Sequence, residues 1–304
     1  MQCRSALARL QQATTLSLLF CAAAWLVWHW RDSRQLAIAG SLAIAMSYSL
    51  ILAAEFIALK VAGRSDSVSP PTWTELAHAW LCETAAAPRV FCWRQPFRWR
   101  VIPDMLEAPQ GQPARRGAVL IHGFVCNRGF WNPWMVRLRA MGHPFVAVNL
   151  EPVFGSIEGY VPVIEEAVQR VTRATGLAPV LVCHSMGGLA ARAWLRAQSA
   201  DQRVHHIITI GSPHHGTWLA QFSHLENGRQ MKFQGPWIRE LEQCSDRARE
   251  GRFTCWYSNC DNIVFPASTA TLPGADNRLV RGVAHVQLAF HQRVIDESLA
   301  KIAQ

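Results

Sequence analysis

Lysine is nearly missing from this 304-residue chain. Lys60, Lys232 and Lys301 are the only three, and arginine supplies the rest of the 30 basic residues. Against 21 acidic residues they leave a formal charge of +9. No Lys/Arg run exceeds two residues, so the basic stripe that tracks a nucleic acid is absent and no nucleic-acid partner is expected. Charge is scarce overall, at 17% against 50% hydrophobic residues, which excludes a disordered, collagenous or coiled-coil chain. No CxxC pair occurs among the nine cysteines, which removes the commonest zinc spacing. Their odd number and the chain length do not fit a small disulfide-stapled domain. Cys244, Cys255 and Cys260 are close enough in sequence for one pair to bridge; free buried thiols are expected elsewhere.

Charge is also missing from two long stretches. Ala13 to Trp30 contains no Asp, Glu, Lys or Arg and ends in Trp25, Trp28 and Trp30. Leu36 to Leu59 has Glu55 as its only charge. Each is close to the roughly 20 residues that cross a bilayer, and the tryptophans lie where an interfacial belt belongs. With the polar turn Arg31-Asp32-Ser33-Arg34 between them, these runs predict an N-terminal transmembrane helical hairpin over residues 1–64. Its spans are about 13–30 and 36–59. A cleaved signal peptide followed by one span is a second reading, and buried core helices a third. Glu55, near the end of its span, is expected to reach the interface. Arg4, Arg9, Lys60 and Arg64 flank the hairpin, against Arg31 and Arg34 in its turn. This balance favours both ends on the cytoplasmic side of a bacterial inner membrane, with a periplasmic catalytic domain as the opposite orientation. Residues 65–89 read as a linker (SDSVSPPT) followed by an amphipathic helix with Trp73, Leu76, Ala77, Trp80 and Leu81 at helical spacing.

From residue 90 to 304 short apolar runs alternate with helical patterns. Gly117–Ile121, Pro144–Leu150, Pro179–Cys183 and Val204–Ile210 read as strands, and 133–141, 160–175 and 186–198 as helices. Strands apolar on both faces and separated by helices predict an α/β fold with a mostly parallel sheet. Reactive groups in such sheets gather at the carboxyl ends of strands. The most informative segment is Val182-Cys183-His184-Ser185-Met186-Gly187-Gly188. It lies where a buried strand turns into a helix. A serine there projects its oxygen above the sheet, and small neighbours let the backbone turn sharply.

With Ile121-His122-Gly123-Phe124, Gly211-Ser212-Pro213-His214-His215-Gly216-Thr217, Asp261-Asn262-Ile263-Val264-Phe265-Pro266 and Gly282-Val283-Ala284-His285, this segment resembles the α/β-hydrolase family, in its bacterial lipase and esterase branch. The resemblance covers about residues 115–302. Cys183 departs from it, since the family has glycine two residues before the nucleophile; cysteine is small enough to fit and is expected to be buried and inert. The resemblance implies Ser185 as nucleophile, followed in chain order by an acid and a histidine. His285 and His291 are the late histidines. His285 is at a loop or helix start, and His291 is expected inside the last helix at the surface. Asp261 follows the β-rich run Phe253–Ser258 and is the expected acid, with Asp276 as the alternative. The backbone N–H groups of Phe124 and Met186 are the expected oxyanion donors. His122 is expected to brace the oxyanion loop.

His214 and His215 read as structural. Some similar lipases bind calcium through aspartates after this motif, but Thr217-Trp218-Leu219-Ala220-Gln221 has none, so no metal and no cofactor are expected. Residues 217–250 interrupt the alternation and are expected to form a cap, with Trp218, Phe233 and Trp237 as substrate-binding candidates. The implied function is a membrane-anchored serine ester hydrolase cleaving acyl or lipid esters through an acyl-enzyme. An acyltransferase, thioesterase or amidase on the same fold is one alternative, and a catalytically silent membrane-bound scaffold another.

Overall fold

The apolar runs after residue 117 assemble into one sheet in the computed structural model, which describes residues 5–107, 115–198, 201–243 and 250–304. Its strands are β1 (Ala118–Ile121), β2 (Phe145–Ala147), β3 (Val180–His184), β4 (His206–Ile210), β5 (Phe253–Tyr257) and β6 (Asp276–Leu279). They lie in the order β2-β1-β3-β4-β5-β6 and every pair is parallel. Alternate residues feed two buried layers, which is why β1 and β2 are apolar throughout and the central strands mostly so. Val119, Ile121, Leu181, Cys183 and Ile207 meet α7 (Val161–Thr175) and α8 (Met186–Gln198). Leu120, Val180, Val182, Ile208 and Ile210 meet α6 (Asn132–Ala140) and the last helix, α12 (Gln292–Ile302).

The final strand differs in character from the others. It is the polar β6, Asp276–Leu279, and Val280 and Val283 are buried beyond its end. An edge strand has only one neighbour and tolerates polar residues. Residues 217–243 form a 3₁₀ turn (Trp218–Phe222), α9 (Glu226–Gln230) and α10 (Pro236–Gln243). Ile238 and Leu241 of α10 are buried in the same layer as α8, so that helix packs as core. Phe222 and Leu225 are exposed. Cys255 and Cys260 are free buried thiols, and Cys244 lies outside the described residues.

The N-terminal segment forms α1 (Ala6–His29), α2 (Arg34–Ala45), α3 (Tyr48–Ala62) and α4 (Trp73–Pro88). Helix α1 is long and apolar enough to cross a membrane, and only 11% of its most apolar window is buried. The expected second span is not one helix. Helices α2 and α3 meet at 51° across Met46 and Ser47. The bonds Ser49 N–H to Met46 and Leu50 N–H to Ser47 tighten the turn there. Side chains also tether the bend to α4: Trp80 Nε1 donates to the Ser49 carbonyl at 2.9 Å, and the Tyr48 hydroxyl to the Thr84 carbonyl at 2.7 Å.

These helices do not hang from the sheet domain by a linker alone. Phe56 and Leu59 of α3, Leu76 and Ala79 of α4, and Phe265 and Ala284 form one buried cluster. Within residues 65–72, Asp66 accepts a hydrogen bond from the Ser268 N–H at 3.1 Å. Helix α4 begins with a capping box between Thr72 and Glu75, but its buried face is not the expected one: Leu76, Ala79, Glu83, Thr84 and Ala87 are buried and Trp80 half-buried, whereas Trp73, Ala77 and Leu81 are exposed. It continues through a π-helical turn, Arg89–Arg94, into α5 (Gln95–Phe97).

Candidate active site

Ser185 sits between β3 and α8 with φ of 54°, a left-handed conformation that is uncommon for a residue with a side chain. The fold holds it there. Its N–H donates to the Ile210 carbonyl at 2.9 Å, and the Gly188 N–H donates to its own carbonyl at 3.0 Å. A Cβ on Gly187 would stand 2.5 Å from the Ile121 carbonyl oxygen, so only glycine lets the elbow approach β1 this closely. Cys183 fits in place of the family's glycine. It is fully buried, and burial pushes its thiol well above the ordinary range, so it is inert as expected.

His285 and Asp261 meet over the same end of the sheet. Nδ1 of His285 lies 2.9 Å from both Asp261 carboxylate oxygens. Asp261 Oδ1 also accepts the N–H groups of Ile263 at 3.0 Å and Val264 at 2.7 Å, which fixes the carboxylate at the end of β5. All three groups are enclosed, with Ser185 6%, His285 5% and Asp261 2% exposed. Burial alone lowers the histidine pKa. The charge and hydrogen bond of Asp261, with the nearby Glu83 and Glu55, outweigh it and raise the pKa above the ordinary value. Gly211 (φ 56°) passes beneath this pair; a Cβ there would lie 2.9 Å from Asp261 Oδ2 and 3.2 Å from His285 Nδ1.

The other candidates separate by position. Asp276 opens β6 at the surface and pairs with Arg278. His291 precedes α12 and is half-buried, a correction to its expected place inside that helix; the turn Ala289–Phe290 ends the preceding helix and forces the new start. His122 bridges the Gly123 carbonyl through Nδ1 (2.9 Å) and accepts the Leu150 N–H at Nε2 (3.0 Å). It therefore ties the loop after β1 to the end of β2. Its burial holds the pKa down at about 4. In that loop Phe124 is half-buried against Phe154, and Val125 has φ of 52°, strained for a β-branched residue. The backbone N–H groups of Phe124 and Met186 have no hydrogen-bond partner among the described residues.

Trp218 stacks on Phe265, four positions after Asp261, at 5.8 Å. Phe233 is half-buried beside Gly216. Trp237 points elsewhere: its indole N–H donates to Glu158, which also pairs with Arg196 of α8. His214 is buried, with Thr209 within hydrogen-bond distance, and His215 pairs with Glu242. No group of three metal-ligating side chains occurs among the described residues.

Helices α1, α3 and α4 supply contacts that sequence reasoning missed. Glu55 was expected at a membrane interface. Instead it accepts a hydrogen bond from Asn262 Nδ2 at 2.6 Å, beside Asp261. Gln11 of α1 donates to the Val125 carbonyl at 3.4 Å, next to Phe124. Glu83 of α4 accepts the N–H groups of Val286 and Gln287, next to His285. A polar residue inside an apolar or amphipathic run was the only available signal, and it does not name a partner.

A PGAP1-like alpha/beta domain family matches residues 164–247, a stretch that contains Ser185 but neither Asp261 nor His285. No curated protein sequence matches the chain. Among solved structures, a Bacillus licheniformis lipase in its mature form is similar at 16% identity and a TM-score of 0.57, covering 64% of this chain and 96% of that one. Aspergillus fumigatus lipase B is similar at 17% identity and a TM-score of 0.55, over 65% of this chain and 56% of the lipase. These likenesses and the parallel sheet give the chain an α/β-hydrolase fold.

Proposed function

We propose that the protein is a membrane-anchored serine ester hydrolase that cleaves acyl esters of lipids through an acyl-enzyme. The observation that carries this reading is the strained Ser185 elbow at the same sheet end as the buried His285–Asp261 pair. In the proposed reaction, neutral His285 takes the Ser185 proton as Oγ attacks the ester carbonyl. Asp261 holds the ring through Nδ1 and stabilises the imidazolium that forms. The free N–H groups of Phe124 and Met186 receive the oxyanion. The imidazolium returns its proton to the leaving alcohol, and water then releases the acyl group by the same steps in reverse order. Each half-reaction begins and ends with a neutral histidine.

The membrane part rests on α1 and on the bent pair α2–α3. Phe20, Val27, Trp28, Leu50 and Ile51 are all exposed, which is unfavourable in water and natural in lipid. The contacts of Gln11 and Glu55 with the catalytic loops favour helices that stay attached over a cleaved leader. An apolar ester fits this setting, and the neighbours described as lipases act as precedent for the fold.

One experiment tests both parts. Carbonate-washed membranes holding the full-length chain are treated with a fluorophosphonate probe. The expected result is a labelled band in the membrane pellet that disappears in Ser185→Ala. A labelled alanine variant would remove Ser185 from the chemistry, and labelled protein in the carbonate supernatant would remove the anchor.

A further inference from the structure

Two carboxyl groups beside His285 take no part in that acyl transfer. His285 opens α11 (His285–Leu288), a helix of four residues. So short a helix satisfies almost none of its own N–H groups, and its orientation has to come from outside. Three side-chain bonds provide it. The His285 N–H donates to Asn262 Oδ1 at 3.2 Å, the Val286 N–H to Glu83 Oε1 at 2.8 Å, and the Gln287 N–H to Glu83 Oε2 at 3.0 Å. Glu83 is 1% exposed and belongs to α4, about two hundred residues earlier in the chain. Asn262 is held in turn by Glu55 of α3.

A carboxyl group in such a place is expensive to bury. Capping two N–H groups does not by itself require a charge, because neutral oxygens accept hydrogen bonds too. What distinguishes the location is His285, where positive charge develops as Ser185 attacks. We infer that Glu83 is a positioning residue for His285: its carboxylate grips the first turn of α11 and, with Glu55 acting through Asn262, holds the imidazole against Asp261. This inference rests on the proposed role of His285 as the base for Ser185. It makes α3 and α4 part of the catalytic apparatus as well as the attachment.

Charge and hydrogen bonding act together in Glu83. Ionised, it accepts both N–H groups; protonated, one oxygen becomes a donor and half the grip is lost. Burial pushes its pKa up to about 7, against the pull of the two N–H groups and His285. The ionisable groups facing His285 are Asp261 after β5, Glu83 on α4, Glu55 on α3 and His184 at the end of β3. The two glutamates raise the histidine pKa, and their removal should lower it.

The test uses the full-length protein in detergent and a p-nitrophenyl acyl ester. Glu83→Gln keeps the size and removes the charge and one acceptor. The expected result is a kcat loss of roughly 10- to 100-fold with KM nearly unchanged, as for a small misplacement of a catalytic group. The acid limb of the kcat/KM profile should move to lower pH, a shift that a purely structural residue would not cause. A kcat within twofold of the parent and an unmoved acid limb would overturn the inference. Should Glu83→Gln fail to fold, Glu55→Ala decides: half-buried and reaching α11 only through Asn262, it should lower the acid limb and reduce kcat several-fold, and unchanged values would refute the inference. Ser185→Ala is run beside them. If it keeps its activity, the hydrolase reading itself fails; if it is inactive while Glu83→Gln is normal, only the positioning role fails.

Discussion

Ser185 and His285 reach one site by opposite means. Ser185 is fixed by its own neighbourhood: β3 before it, α8 after it, and the adjacent strand β4 accepting its N–H. His285 sits on a four-residue helix whose N–H groups are met by Asn262, 23 residues away, and by Glu83, 203 residues away from Val286. The elbow is therefore as stiff as the sheet. The histidine turn is as stiff as a set of separate side-chain contacts, some of them on helices outside the sheet domain. Damage to one contact should be graded on the histidine side and close to all-or-none on the serine side.

The largest effect on the histidine side should come from Asp261→Asn. The amide keeps the size but favours the wrong tautomer of His285, with an expected fall in kcat of roughly 10,000-fold by analogy with serine proteases. Asp276→Asn, at the exposed edge strand, should stay within twofold. Steady-state rates on a short acyl ester, with circular dichroism to check folding, make the comparison. The reverse pattern would move the acid to Asp276 and remove Asp261 from the site.

The same contrast explains what could be read in the sequence. The elbow was legible because strand, glycines and helix are consecutive, and short-range sterics demand those residue types. Asp261 could be singled out because it follows the β-rich run Phe253–Ser258; it lies beside His285, whereas Asp276 opens the edge strand at the surface. The second apolar run was expected as one helical span, because no proline or glycine marks the break at Met46 and Ser47, where the chain bends by 51° beside the Trp80 and Tyr48 contacts with α4. Glu55 was misread for a related reason: in a hydropathy profile a lone carboxylate looks the same whether it faces headgroups or Asn262. Trp237 has the composition of a cap residue, but its indole follows Glu158 toward the sheet's helical layer. Long-range partners of this kind leave no local pattern.

An intermediate effect is expected at Gly211. Alanine there would be strained at φ of 56° and would crowd Asp261 Oδ2 and His285 Nδ1 from below. A displacement of this pair approaching about 1 Å should reduce kcat by about 100-fold, with KM less affected. The elbow should be untouched, so stoichiometric fluorophosphonate labelling of Ser185 should still be reached, only more slowly. Labelling and turnover at the parent's rates would show that the histidine side tolerates crowding, and the contrast between the two sides would weaken.

The smallest effect on catalysis, and a clear one on stability, is expected at His122 on the oxyanion side. Its neutral ring bridges Gly123 and Leu150, and its folded pKa is about 4 against an ordinary 6.5. A histidine with a depressed pKa stabilises the fold fully above about 6.5, and that contribution is lost as pH falls toward 4. The difference corresponds to about 3 kcal/mol for this fully buried ring. His184 and His214, also held neutral by burial, add in the same direction. Glu83 has the opposite sign: its raised pKa gives a contribution that is complete below about 4.5 and lost as pH rises to about 7. Acid therefore weakens the ties of the loop after β1, while rising pH adds the cost of a buried charge at Glu83. His122→Gln should keep activity at pH 8 within about tenfold, since one donor and one acceptor remain. Its melting temperature should fall less steeply between pH 7 and 4.5 than that of the parent chain. Parallel curves for the two proteins would mean that His122 does not titrate in this interval, and the acid sensitivity would then belong to the buried His184 and His214.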